Sequence, residues 1–371
     1  MKALAVWPRR RQTDVVDVEE PVLTSRTGVR FRTLEVGVCG TDAEICSFQG
    51  GVPPEGSEYL ITGHEALGEV EEVGPEVTRV GRGDLVVPSV RRPCSHPACA
   101  ACRSHEQDHC MTGRYTERGI KAAHGFLAEH VVEEERYLHP VPRGLRSVGV
   151  LTEPLTIAEK ALRQYLAVQR RLPWTREQDP AALLAGRRAV VLGAGPVGIL
   201  GCMLLLHHGC RVWVYSRGHR GSPAAELVKS LGATYVVPEE VPFGALAAEI
   251  GGPELVYEAT GAPPLVFEVL GHLAPNAVLI LTGVPRGEGT LTVPGSAVMR
   301  RIVLDNQVVL GTVNASAADF AVAIRHLGDF LDAWPQAVRD LITGRHPLAD
   351  FCACALERKR IKEVIAMGSP S

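Results

Sequence analysis

The sequence contains no long apolar run. Its longest, Val197 to Leu206, is about half of what a membrane span needs. The start, Met1 to Arg11, holds an apolar stretch far too short for a secretory leader, and most of its basic residues follow that stretch instead of preceding it. These absences point to a cytoplasmic protein. A basic surplus is also lacking: the formal net charge of −3 gives no general attraction to nucleic acid or to an anionic membrane. Internal repeats and low-complexity tracts are absent too, which excludes solenoids and tail-like interaction segments.

The 371 residues are too many for one ordinary core and suit two domains. Hydrophobic content of 46% and charged content of 22% are those of a soluble globular chain. Ten cysteines are expected to stay reduced in a cytoplasm, so a tight cysteine cluster there reads as metal before disulfide.

Up to about residue 150 the pattern is one of short alternating runs, such as Gly68 to Val73 and Asp84 to Val87, broken by Gly74-Pro75 and Gly81-Arg82-Gly83. This predicts a β-rich domain. A helix is expected over Pro154 to Arg170, followed by a linker-like stretch from Leu172 to Pro180. The pattern then changes to strands alternating with helices. Strands are expected at Arg188 to Leu192, Arg211 to Tyr215, Glu254 to Tyr257, Val278 to Leu281 and Val308 to Leu310, with a helix at Pro196 to His208. Such alternation predicts an α/β fold with a doubly wound parallel sheet. From about Ala317 the chain reads as mostly helical, with a late strand or two.

Gly193-Ala194-Gly195-Pro196-Val197-Gly198 follows the first of these strands and opens the helix. In that setting each glycine has a task in dinucleotide binding. The first makes a tight turn, the second lets the backbone approach a pyrophosphate, and the third lets helix and strand pack closely. The helix N-terminus then faces the phosphates with free N–H groups. After the next strand, where an acidic residue would bind the ribose diol of NAD, the chain has Ser216-Arg217-Gly218-His219-Arg220. A hydroxyl and basic groups there suit a 2′-phosphate, which favours NADP, with NAD tolerated.

Two groups of residues have metal chemistry. One is dispersed: Cys39-Gly40-Thr41-Asp42, Gly63-His64-Glu65 and Glu153-Pro154. Thiolate, imidazole and carboxylate all suit zinc, and a catalytic zinc needs three protein ligands and an open position. The other is local: Cys94, Cys99, Cys102 and Cys110, four thiols within 17 positions, as a closed structural zinc site requires. One of His96, His105 or His109 could replace a thiolate there. Cys46, Cys202, Cys210, Cys352 and Cys354 read as packing residues.

These segments resemble the zinc-containing medium-chain alcohol dehydrogenases over nearly the whole chain. Within that superfamily the sequence is most similar to the prokaryotic NAD(P)-dependent glucose 1-dehydrogenases, best known from archaea. Val38 to Asp42, Leu60 to Ala66, Gly83 to Pro88 with Arg91-Arg92, Glu153 to Leu155, Ala158 to Lys160 and Gly311 to Asn314 carry the resemblance. It implies a GroES-like catalytic domain over 1–184, to which 314–371 returns, and a Rossmann domain over 185–313. It implies that Cys39, His64 and Glu65 bind zinc with Glu153 at or near the metal and the substrate. Thr41 would relay the substrate's proton. Thr260, Leu281, Thr282, Thr312 and Asn314 would contact the cofactor, and Glu117 and Asn314 the sugar. A homotetramer or homodimer is implied, as is oxidation of an aldose, D-glucose foremost, at C1 to the lactone. Two departures stand out. Four residues separate Cys94 from Cys99, where the family usually has two, and Val90 and Ile157 are apolar where sugar-binding relatives carry polar groups. A polyol, threonine or simple alcohol dehydrogenase is the rival on this scaffold. The intact Cys39, Thr41, His64 and Glu65 argue against a catalytically dead dinucleotide-binding protein and against a zinc-free quinone reductase.

Overall fold

The computed structural model describes residues 1–285, 289–357 and 360–368. By backbone proximity the chain forms two compact units, Met1–Thr156 together with the chain from Asn314 onward, and Ile157–Val313. The junction between them falls inside the helix Thr152–Gln169. No helix among the described residues is long and apolar enough to cross a membrane.

The first unit is built on a seven-stranded sheet with the order Leu138–Val141, Leu85–Pro88, Glu65–Val73, Gly28–Gly37, Lys362–Ala366 and Ile342–His346; His130–Glu134 also pairs with Gly28–Gly37. The long strand Gly28–Gly37 organises it. Val29, Phe31 and Val36 are buried from it into a core with Phe126, Leu127, Val131 and Ile365. The last strand, Lys362–Ala366, runs antiparallel beside it with Val364 opposite Gly37, so the end of the chain completes a sheet begun near its start.

The cysteines require a correction. Cys46 and Cys352, expected to be reduced packing residues, are joined in a disulfide with a Cα–Cα separation of 5.5 Å. Cys46 ends the helix Gly40–Cys46 and Cys352 opens the helix Phe351–Glu357. Folding packs these two helices together and brings the cysteines within the bonding range, which a separation of 306 residues conceals in the sequence. Cys202 and Cys210 are buried free thiols, and Cys354 is a half-buried one.

The second unit is the expected doubly wound sheet. Six parallel strands lie in the order Thr234–Val236, Arg211–Tyr215, Arg188–Leu192, Leu255–Glu258, Val278–Leu281 and Val308–Gly311. The chain starts at the centre, moves to one edge, then returns and builds outward on the other side. That order places a switch point at the carboxyl end of Arg188–Leu192, where such sheets bind ligands. The helix Pro196–His207 is apolar nearly all round. Its residues from Gly198 to Leu205 are buried, as they must be in a helix packed against a sheet.

Candidate functional site

The Cys39–Asp42 segment folds locally into its own support. Cys39 is the N-cap of the helix Gly40–Cys46; its sulfur accepts from the Thr41 N–H, and its own N–H donates to Asp42 Oδ2 at 2.8 Å in a capping box. Gly63, at φ +85°, makes the turn that delivers His64 to the start of Glu65–Val73; a Cβ there would meet Leu127 Cγ at 2.6 Å. Cys39 Sγ and His64 Nε2 then stand 3.1 Å apart, and donor atoms of Cys39, His64 and Glu65 all lie within 4.8 Å of one another. His64 Nδ1 faces Asp42 Oδ1 at 3.5 Å, and both atoms are buried without a hydrogen-bond partner among the described residues. An acid behind one imidazole nitrogen leaves the other for a metal and fixes the ring's orientation, as is usual for zinc-binding histidine. This borderline-soft set of sulfur, nitrogen and oxygen fits zinc.

Electrostatics in the site reflect burial and crowding. Burial pushes the Cys39 thiol up despite the nearby imidazole. Burial alone would push the His64 imidazole down, but the charges of Cys39 and Asp42 outweigh it and hold it well above its ordinary value. Glu65 is balanced by Lys362, whose buried ammonium contacts Glu65 Oε2 and donates to Val38 O at 2.9 Å. A Cβ on Gly37 would lie 2.9 Å from Lys362 Nζ, so that glycine leaves room for the pair. Glu153 lies outside the trio but close enough to feel it. Burial and the charge of Glu65 push its carboxyl up to about 7.

Glu117 and Asn314, 197 residues apart, are brought together: Asn314 Nδ2 donates to Glu117 Oε1 at 3.0 Å. Arg91 donates to the same oxygen through Nε at 3.0 Å and Nη2 at 2.9 Å. Glu117 is thereby held in one orientation. Val90 is buried and apolar.

The sulfurs of Cys94, Cys99, Cys102 and Cys110 converge within 4.8 Å of one another, and the longer loop between the first two does not prevent it. None of His96, His105 and His109 belongs to this set. Thr112 Oγ1 donates to Cys94 Sγ at 3.2 Å.

In the second unit, the three loop glycines differ in what a side chain would meet. Gly193 has φ +102°. A Cβ on Gly195 would meet nothing within 4 Å, so the side from which a phosphate would approach is open. A Cβ on Gly198 would strike the Gly193 carbonyl. Ala194 N–H donates to Ser216 Oγ at 3.2 Å, which ties the Ser216 hydroxyl to the loop, whereas Arg217 is exposed. Thr312 Oγ1 is buried without a partner among the described residues. Thr282 Oγ1 donates to Glu258 O at 2.6 Å.

Sequence reasoning assigned no role to three residues that organise these sites. Asp42 was detectable from its capping-box spacing to Cys39. Lys362 gave no local signal. Glu258, the last residue of its strand, accepts from the N–H groups of Thr260 and Gly261 at 2.5 and 2.8 Å, from Thr260 Oγ1 at 2.5 Å and from Gly283 N–H at 3.2 Å. Its carboxylate thus holds together the loops that follow two central strands.

A zinc-type trio beside a GroES-like scaffold, with a dinucleotide loop on a doubly wound sheet, defines the alcohol dehydrogenase class. Residues 25–143 match the alcohol dehydrogenase GroES-like domain, and residues 146–367 match the glucose dehydrogenase C-terminus. The chain belongs to the glucose dehydrogenase family. It is 38% identical over 350 residues to the glucose 1-dehydrogenase of Methanocella arvoryzae, covering 93% of each chain. It is 41% identical over 325 residues to that of Thermoproteus tenax, covering 87% of this chain and 86% of the other. The solved structure of Haloferax mediterranei glucose dehydrogenase in complex with NADP, Zn and gluconolactone superposes with a TM-score of 0.87 at 34% identity, covering 100% of both chains.

Proposed function

We propose that this protein is a zinc-dependent, NADP-preferring glucose 1-dehydrogenase that oxidises an aldose at C1 to the lactone. The observation that carries this reading is the convergence of Cys39, His64 and Glu65 in a chain similar over 93% of its length to a glucose 1-dehydrogenase. Cys39, His64 and Glu65 would hold the metal, with Glu153 available at its edge. Bound there, zinc would act as a Lewis acid on the substrate hydroxyl. NADP supplies the hydride acceptor.

The protein's own groups bind, orient and move the proton. The Thr41 hydroxyl takes the substrate proton toward solvent. The Glu117 carboxylate, fixed by Arg91, accepts a sugar hydroxyl, and Asn314 beside it shares the contact. The loop Gly193 to Gly198 receives the pyrophosphate. Ser216 and Arg217 receive the 2′-phosphate, with Arg217 supplying the charge and Ser216 bracing the loop. Thr260, Leu281, Thr282 and Thr312 flank the cofactor. Val90 and Ile157, apolar where the resemblance implies polar sugar contacts, favour some breadth among aldoses over strict recognition of every hydroxyl.

We further propose assembly into a homodimer or homotetramer. The helix Gly295–Leu304 buries no residue, and Met299, Val303 and Leu304 on it are each more than 60% exposed; Val309, on the edge strand Val308–Gly311, is partly exposed too.

The test is a spectrophotometric screen of NADP and NAD reduction over aldoses, polyols and short alcohols, with and without chelator. Aldose oxidation that disappears on zinc removal is expected. Turnover that persists without zinc, or polyols outrunning every aldose, would overturn the reading. Light scattering on the purified protein checks the assembly.

A further inference from the structure

Besides Cys39, His64 and Glu65, the first unit holds another set that joins a thiol, an imidazole and a carboxylate: His346, Cys354 and Glu363, with donor atoms all within 4.8 Å of one another. From sequence alone Cys354 reads as a packing residue. The fold assembles the set from three elements. His346 ends the edge strand Ile342–His346, Glu363 lies on the neighbouring Lys362–Ala366, and Cys354 projects from the helix Phe351–Glu357. The strands run parallel with Gly344 opposite Glu363. Residues of one face alternate along a strand, so Lys362 is buried toward Glu65 while Glu363 lies toward the half-buried set. Gly344 makes room for it, because a Cβ there would collide with both Glu363 Oε2 and His346 Nε2.

We propose that His346, Cys354 and Glu363 form a further zinc site that clips the helix Phe351–Glu357 to the strand pair. His346 Nε2 and Glu363 Oε2 already touch, and Arg360 sits 3.6 Å from the other Glu363 oxygen, leaving Oε2 as the donor. The side chains of His346 and Glu363 are only 25% and 11% exposed, and Cys354 is half-buried, so a metal would be largely desolvated, with a fourth position open to water. Burial, then the carboxylates of Glu363, Asp350 and Glu357, raise the Cys354 thiol pKa. Burial penalises any charge there, but the carboxylates of Glu363, Asp350 and Glu357 around Cys354 favour a divalent cation, whose binding sends the thiol proton to solvent. The inference is independent of the proposed reaction.

Zinc alone is the probe. The purified full chain is stripped, titrated with zinc against a chromophoric chelator, and compared with Cys354→Ser and His346→Ala. One more zinc per chain is expected in the parent than in either variant, with dehydrogenase turnover retained. Equal zinc counts would overturn the site. Where a variant does not fold, alkylation of Cys354 in the parent, read by peptide mass spectrometry, decides. Zinc loading is expected to slow it by more than about tenfold, because the reactive thiolate is occupied; the same rate with and without zinc would refute the proposal.

Discussion

Replacing Lys362 with Met tests how the metal trio is held. Methionine approximates the length of the lysine stem but removes the charge. Lys362 and Glu65 are 1% and 2% exposed, so the Glu65 carboxylate would be left in the interior without its counterion, and Val38 O would lose its 2.9 Å donor. Breaking a buried pair by removing one partner costs about 3–5 kcal/mol. The orphaned carbonyl by itself is a matter of about 1–3 kcal/mol, and the two figures overlap because both arise from one ammonium. A loss of roughly 3–5 kcal/mol is therefore expected, a large part of the ~5–15 kcal/mol that typically holds a protein folded. Urea unfolding with chelator present measures it, since zinc held at Glu65 would itself act as a counterion. The companion double variant Lys362→Met with Glu65→Gln leaves no lone buried charge and should recover at least half of the loss, a coupling that a double-mutant cycle isolates. A single variant that loses less than about 1 kcal/mol, or a double variant as unstable as the two singles summed, would refute the claim that Lys362 neutralises Glu65.

Gly198→Ala places a methyl against the Gly193 carbonyl, a clash worth about 1–3 kcal/mol, and NADP binding measured by fluorescence titration should weaken by about tenfold or more. Arg217→Ser removes the exposed cation proposed for the 2′-phosphate; the ratio of NADP to NAD in kcat/KM should fall about 10- to 100-fold, matching a charged hydrogen bond. Glu117→Gln keeps the shape but halves the acceptor capacity, and should raise KM for the sugar more than it lowers kcat in steady-state assays. His139 is buried, stacked on Phe320 and bonded to Ser89 Oγ, and burial, then Arg79 and Arg92, lower its pKa from 6.5 to about 3. Because the unfolded chain takes up that proton first, stability present above pH 6.5 is lost as pH falls toward 3. The slope in that window should be about 1.4 kcal/mol per pH unit, and His139→Gln should flatten acid unfolding by that amount.

What the sequence made legible is what its physics writes locally. The strand Arg188–Leu192 is a run of β-branched and apolar residues, and the strand found has those bounds. Gly193, Gly195 and Gly198 each stand where absence of a side chain has a consequence within a few residues. The cysteines from Cys94 to Cys110 are near enough in sequence that convergence follows from one short loop. Cys39 and His64 are joined by the combination of Cys-Gly-Thr-Asp with Gly-His-Glu some 25 residues later, because each alone reads as an ordinary buried residue. Lys362 was illegible: a lysine in a terminal strand suggests solvent, and only the sheet register places it against Glu65, 297 residues away. Cys46 and Cys352 were illegible for the same reason, and composition pointed the other way. Glu258 escaped notice because its four acceptor contacts are to backbone and hydroxyl groups in loops whose course the sequence does not draw.

The Cys46–Cys352 bond has a topological consequence. It closes a ring of some 300 residues in the polypeptide, and all of Ile157–Val313 lies within the ring. Closing a loop of that size restrains the unfolded chain by roughly 5–6 kcal/mol on the chain-entropy model. A single protease cut anywhere between the two cysteines would open the ring without releasing a fragment. The nicked molecule would migrate as one species until a reductant separated it into two, and both strands at the heart of the first sheet, Gly28–Gly37 and Lys362–Ala366, would stay tethered to each other throughout.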